Sequence, residues 1–224
     1  MLDFIENGSN SDPSLKTIQL ETVKLAYHDV GEGPLVVLLH GFPDTAYTWK
    51  ETQTTLKNVG YRSVAPYLRG YFPSEIPHDG DYSLTTLVSD VMELVKKLGY
   101  KKCILVGHDW GAMITYAAAQ LHADTVTKIV TLAIPPPKVS HTSLRERIVR
   151  PHNIYLGWGE LAHWWVKRKE LKAIDFFYRQ WSPNWLIPIE HIKHVKHVFS
   201  LPKRTAAAID YYSAPMGKGL ENII

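Results

Sequence analysis

Residues 101–112 read Lys101-Lys102-Cys103-Ile104-Leu105-Val106-Gly107-His108-Asp109-Trp110-Gly111-Ala112, and the chain continues as MITYAAAQLH. The apolar run from Cys103 has the length and composition of a buried strand, and the segment after Ala112 reads as a helix, so the chain must turn sharply at Asp109. A turn of that kind strains its central residue, and the residues two before and two after it must lack bulk, a demand that Gly107 and Gly111 meet. Small, variable, Asp, variable, small, small between a strand and a helix is the form of a nucleophile elbow. With aspartate at the apex the nucleophile is a carboxylate, ionised near neutral pH, that can attack carbon and form an ester without a base for that first step. A structural tight turn would carry the same glycines, so other segments have to decide.

Outward from this stretch, LVVLLHG, YRSVAPYL and TKIVTLAIP are further apolar runs without alternation, as expected of strands buried on both faces of a parallel sheet. TIQLETV and KLAYHDVG alternate apolar and polar residues and read as an opening antiparallel hairpin. The clearest helix is SLTTLVSDVMELVKKLG, in which Leu84, Leu87, Val88, Val91, Leu94, Val95 and Leu98 recur at three- and four-residue spacing, with Ser83 placed to cap the start and Gly99 the end. Strands alternating with helices imply an α/β fold, a mostly parallel sheet with helices on both faces. After Pro135-Pro136-Pro137 the character changes. The stretch from about Ser140 to Ala214 is rich in Trp, Tyr, His and Arg, has helical periodicity and holds no plausible buried strand, so it reads as a helical insertion over the sheet.

The segments HGFPDTAYTW, APYLRGYFPSE, GHDWGA and IPPP, in that order over Leu35 to Pro137, resemble the epoxide hydrolase and haloalkane dehalogenase-like branch of the α/β-hydrolase superfamily. The resemblance implies a core over 1–137, a helical cap inserted after the sixth strand over 138–215, and a return to the core from 216 to 224. It also implies an ester intermediate on Asp109 and an oxyanion hole built from the backbone N–H groups of Phe42 and Trp110, supported by His40, Gly41, Pro43, Gly107, His108 and Gly111. The family's cap supplies tyrosines that protonate the opening epoxide oxygen. By the match of AAAIDYYSAP to the end of that cap Tyr212 is the first candidate, with Tyr155 in HNIYLGW the second. An alkoxide is a strong base, and a phenol held in a dry site can donate the proton it needs. The ordinary alternative is that Tyr155, Tyr178, Tyr211 and Tyr212 pack a lid with their hydroxyls at its wet edge.

His40 and His108 each precede the residue of interest and are expected to brace loops. Arg69 is expected to pin neighbouring loops through its guanidinium fork, although the family usually has an acid where this chain has Tyr67. His191, His194 and His197 recur at three-residue spacing, but lysines lie between them and no carboxylate or thiolate completes a set, so a solvated helix face is expected and no metal.

The family completes its triad with an acid and a histidine on loops after two further strands. No residue here matches either position, and the stretch after the sixth strand, Ala133 to Lys138, has no carboxylate. The last strands are therefore expected to be missing, through a truncated gene product or an incomplete sequence, and efficient turnover by this chain alone is not expected. An uncovered sheet edge would follow.

Function classes narrow further with composition. The chain has 224 residues, 45% hydrophobic and 21% charged, with a net charge of +3 spread among scattered Lys and Arg, which gives no support for nucleic-acid binding. The single cysteine, Cys103, allows no internal disulfide and no metal spacing. An acidic start, MLDFIENGSN, and the absence of a long apolar run argue against a secretory signal or a membrane span, so a cytoplasmic protein is expected. No cofactor is implied.

The expected function is an epoxide hydrolase-like hydrolase on a small apolar substrate, favoured over a haloalkane dehalogenase because Phe42 stands where many of the latter carry a polar halide-binding residue. Two alternatives remain open: a dehalogenase of the same fold, with an alkyl halide as substrate, and a non-catalytic small-molecule binder on the same scaffold.

Overall fold

A computed structural model describes residues 12–136 and 155–214 of the chain. The domain boundary expected at Pro137, the start of the insertion and the return to the core from Met216 lie outside them.

Six strands form one sheet: β1 (Leu15–Gln19), β2 (Lys24–Val30), β3 (Leu35–Leu39), β4 (Arg62–Pro66), β5 (Cys103–His108) and β6 (Val126–Leu132), in the order β1-β2-β4-β3-β5-β6. The opening hairpin is antiparallel, with Ile18 opposite Leu25, and β2 runs antiparallel to β4. From there the sheet is parallel, β3 lying between β4 and β5 with Val37 paired to Val64 on one side and Leu105 on the other. All five side chains of β3 are buried, which an apolar run achieves only when both faces of the sheet are covered at its centre.

Helix α1 (Lys50–Asn58) packs on β4 and β2. Helix α2 (Leu84–Lys97) starts where Ser83 Oγ accepts the N–H of Thr86, at 3.4 Å, and it buries Leu84, Leu87, Val88, Val91, Leu94 and Val95 on one stripe. Burial of each such side chain is worth about 1.5–3 kcal/mol. Its last turn carries Lys96 and Lys97, where cations suit the helix dipole, and Gly99 beyond it has φ +86°, as the capping reading requires. Helix α3 (Trp110–Leu121) follows β5 after a single residue and packs on β3, β5 and β6.

Strand β6 departs from the expectation of burial on both faces. Only Val126 is fully buried, while Ile129, Val130 and Leu132 are 39, 49 and 44% exposed. Among the described residues β6 pairs with β5 alone and forms the sheet's edge, so its apolar composition is not matched by cover.

Residues 155–214 hold helices joined by short turns and no strand: α4 (Glu160–Trp181), bent at Arg168–Leu171, α5 (Ile189–Ser200) and α6 (Arg204–Asp210). These helices join the core through aromatic side chains. Phe177 of α4 and Phe199 of α5 meet Phe42 edge-on, with ring centroids 5.5 and 5.6 Å away. Beyond α6, the Tyr211 hydroxyl donates to the Arg69 carbonyl at 2.8 Å.

Candidate active site

The site is built where β5 ends against the loop after β3. Asp109 has φ 53° and ψ −117°, a backbone conformation that a non-glycine residue adopts at a cost of about 1–3 kcal/mol. Glycines make room for it. A Cβ on Gly107 would run into the Gly111 carbonyl, one on Gly111 into the Leu39 carbonyl, and one on Gly41 would lie 2.5 Å from the Asp109 side chain. The strained turn is therefore clamped from three sides by backbone that comes as close as the absence of a side chain permits.

This clamp aims the carboxylate at the β3 loop, where the Phe42 N–H donates to Asp109 Oδ1 at 2.9 Å. Asp109 also sits at the start of α3, whose dipole favours a negative charge, and Trp110 is the first helical residue, whose N–H has no acceptor four residues back within the helix. A Cβ on Gly41 would stand 2.7 Å from that Trp110 nitrogen, so the two amides expected to form the oxyanion hole lie close to the same glycine.

Above them lie the aromatic residues of the helical segment. Tyr212 meets Phe42 and Trp110 edge-on at 5.7 and 5.3 Å. Burial and then the negative charge of Asp109 push its phenol well above the ordinary value, so it carries its proton throughout the neutral range. Tyr155 is half-buried, stacked on Phe177 at 6.4 Å and edge-on to Trp165 at 5.3 Å, and burial raises its phenol too. It also contributes to the field at Tyr212, so the two phenols share one neighbourhood. Tyr155 is at the same time a wall of an apolar groove of about 430 Å3 formed with Trp158, Leu161, Ala162, Trp164 and Trp165.

His40 is fully buried. Its Nε2 accepts the Leu68 N–H at 3.1 Å, which places the ring proton on Nδ1, 3.2 Å from the Gly41 carbonyl that accepts it. Burial lowers its pKa to about 4, so it is neutral and spans the loops after β3 and β4. His108 is the last residue of β5, partly buried beside the turn. Pro43 follows Phe42 across a cis peptide bond.

Arg69 is fully buried and holds Asp90 of α2 with both arms of its fork, at 2.6 and 2.7 Å, while donating to the Asp81 carbonyl at 2.7 Å and Thr22 Oγ1 at 2.9 Å. The acid that sequence reasoning missed is thus Asp90, and Tyr67 joins a different contact, 3.1 Å from His28 Nε2.

Two expectations need correction. The helix face bearing His191, His194 and His197 is turned toward the core. His191 is buried, its Nε2 lying 3.0 Å from the Tyr178 hydroxyl and 3.4 Å from Asp44 Oδ1, and His194 stacks on Tyr47 at 4.7 Å. In α5 the apolar residues Val195, Val198 and Phe199 face inward, and the histidines share that side of the helix, which their spacing alone could not reveal. The hydroxyls of Tyr178 and Tyr211 likewise lie inside, on His191 and on the Arg69 carbonyl, where a buried phenol needs a partner. Asp44, directly after HGFP, escaped notice in the sequence, although its place in that motif was a signal.

A family model described as alpha/beta hydrolase fold matches residues 34–153. The chain is 34% identical over 200 residues to human epoxide hydrolase 4, covering 85% of this chain and 50% of that one. It is 36% identical over 126 residues to epoxide hydrolase A of Mycobacterium tuberculosis, covering 55 and 39%. Among solved structures, the epoxide hydrolase CorEH superposes with a TM-score of 0.78 at 25% identity, covering 93% of this chain and 75% of that one. The chain spans about half the length of the first curated relatives it matches.

Proposed function

The chain belongs to the α/β-hydrolase fold family, and on that premise we propose that it carries the alkylation half-site of an epoxide hydrolase-like enzyme acting on small apolar substrates. In this reading an Asp109 carboxylate oxygen attacks an epoxide carbon, the carbon–oxygen bond of the ring breaks, and the departing oxygen takes the phenolic proton of Tyr212, with Tyr155 as the second donor. The product is a hydroxyalkyl ester of Asp109 and a tyrosinate that regains its proton from solvent. Water attacking the ester carbonyl would place negative charge on the oxygen facing the Phe42 and Trp110 amides.

The observation that carries this reading is the Asp109 carboxylate held on a strained turn, with Oδ1 on the Phe42 N–H, beneath a phenol whose proton is retained. Substrate polarity is argued from the surroundings: Phe42 and Trp110 beside Asp109 pack against further aromatic rings, and the groove next to Tyr155 is lined by apolar residues, three of them Trp. No described helix is long and apolar enough to cross a membrane.

Alkylation of Asp109 is the step this reading assigns to the described residues, so it is the step to test. Incubation with styrene oxide and intact-mass measurement should show one added epoxide per chain, located on the peptide that holds Asp109. Asp109→Asn should abolish the adduct. A wild-type chain that gains no mass from any epoxide or alkyl halide, yet binds the corresponding diol or alcohol, would favour the binding-module reading instead.

A further inference from the structure

Tyr71 is buried to 2% exposure, and its hydroxyl has no hydrogen-bond partner among the described residues. A buried phenol without a partner carries a desolvation penalty that a hydrogen-bonding ligand would relieve. Its ring contacts place it beside the candidate site. The ring stands edge-on to His40 at 4.6 Å, one residue before the Gly41 against which Asp109 is packed. It shares Phe199 with Phe42, at 5.9 and 5.6 Å, and Tyr211 with Trp110, at 5.8 and 5.6 Å. Tyr71 is therefore one ring contact removed from both the residue that donates to Asp109 from the β3 loop and the one that opens α3. The charge of Asp109 and the Tyr212 phenol both act on its hydroxyl, after burial itself, and all three keep it protonated. It is thus a donor in waiting.

We propose that Tyr71 is a third phenol of this site, a ligand-binding residue whose hydroxyl donates to the oxygen of the bound molecule: the ring oxygen of an epoxide or a hydroxyl of the diol. An ether oxygen has two lone pairs, so it can accept from Tyr71 while Tyr212 delivers the proton, and Tyr71 acts on binding and orientation without taking part in proton transfer. The proposal rests on the reading of Asp109 as nucleophile for the epoxide case, but not for the diol.

Tyr71→Phe removes one unpartnered atom and keeps the ring contacts, so the fold should survive. Two quantities are to be measured in the full chain: the concentration dependence of alkylation by styrene oxide, and the affinity for 1-phenyl-1,2-ethanediol by calorimetry. The expected result is about a tenfold rise in the half-saturating epoxide concentration with a maximal alkylation rate changed less than twofold, and about a tenfold loss of diol affinity. Unchanged values for both, with a raised Tm, would overturn the proposal, because an orphan hydroxyl with no ligand only costs stability. If the wild type binds the diol without being alkylated, the nucleophile reading fails and the diol affinities alone decide on Tyr71. A wild type that does neither has no ligand at this hydroxyl, and the proposal falls with it.

Discussion

At the scale of single residues, the site depends on what is missing from Gly41, Gly107 and Gly111. Each of them approaches backbone or the Asp109 carboxyl at a distance that a β-carbon would occupy. Gly111→Ala sets a methyl group against the Leu39 carbonyl, at the end of a strand whose five side chains are all buried, so neither side can yield cheaply. The expected cost is about 3 kcal/mol, at the upper end for overpacking, read as a lower urea midpoint at unchanged m-value. The displaced turn should also slow alkylation at Asp109. Retained stability would mean that the turn is looser than its contacts imply. The same scale explains how much of the site was legible: residues that must be glycine or aspartate announce themselves by identity, whereas Tyr71 looks like any other aromatic residue until its hydroxyl is found without a partner.

At the scale of elements, the parts are joined by buried polar contacts whose partners lie far apart in the chain. Arg69 reaches 21 residues to Asp90 and so ties the loop after β4 to helix α2, while its carbonyl receives the hydroxyl of Tyr211 from the far end of the helical segment. Removing one member of a buried ion pair leaves the other charge uncompensated, at a cost of about 3–5 kcal/mol. Asp90→Asn keeps one acceptor and one shape, so about 3 kcal/mol is expected by chemical denaturation, with Tyr212 loosened indirectly. An effect below about 1 kcal/mol would show that water already reaches Arg69. Helix α2 was readable because seven apolar residues follow one period. The Arg69–Asp90 pair was not, since Asp90 lies within that helix with nothing local to mark it as buried.

At the scale of the whole molecule, three histidines make stability depend on pH. Burial lowers His40 and His194 to about 4, and it lowers His28 against the opposing pull of Asp12. Each therefore binds fewer protons folded than unfolded between the folded value and the unfolded value near 6.5, so stability is full above that range and falls as the pH drops through it. Asp44, held low by its hydrogen bond from His191 although burial opposes this, loses its contribution only at still more acid pH. From pH 7.5 to pH 5 the loss is expected to be about 2 kcal/mol for His40 alone. Urea titrations at both pH values check it, and a midpoint that holds or rises on acidification would contradict the buried, neutral state of these rings. The exposed apolar edge at β6 belongs to this scale too. Its residues carry the composition of a covered strand, and their exposure depends on neighbours rather than on their own pattern.

The strand–turn–helix at Asp109, the parallel run of strands around β3, the hairpin before them and the helix from Leu84 were legible in the order of residues alone. In each of these the signal is local: a period, a capping residue, or a glycine with no substitute. The folded arrangement was needed to show that Phe42 N–H meets Asp109, that Arg69 finds Asp90, and that His191 turns inward to Asp44 and Tyr178. These are matters of burial and partnership between segments tens of residues apart, and spacing along a chain carries no record of which polar group will close on which.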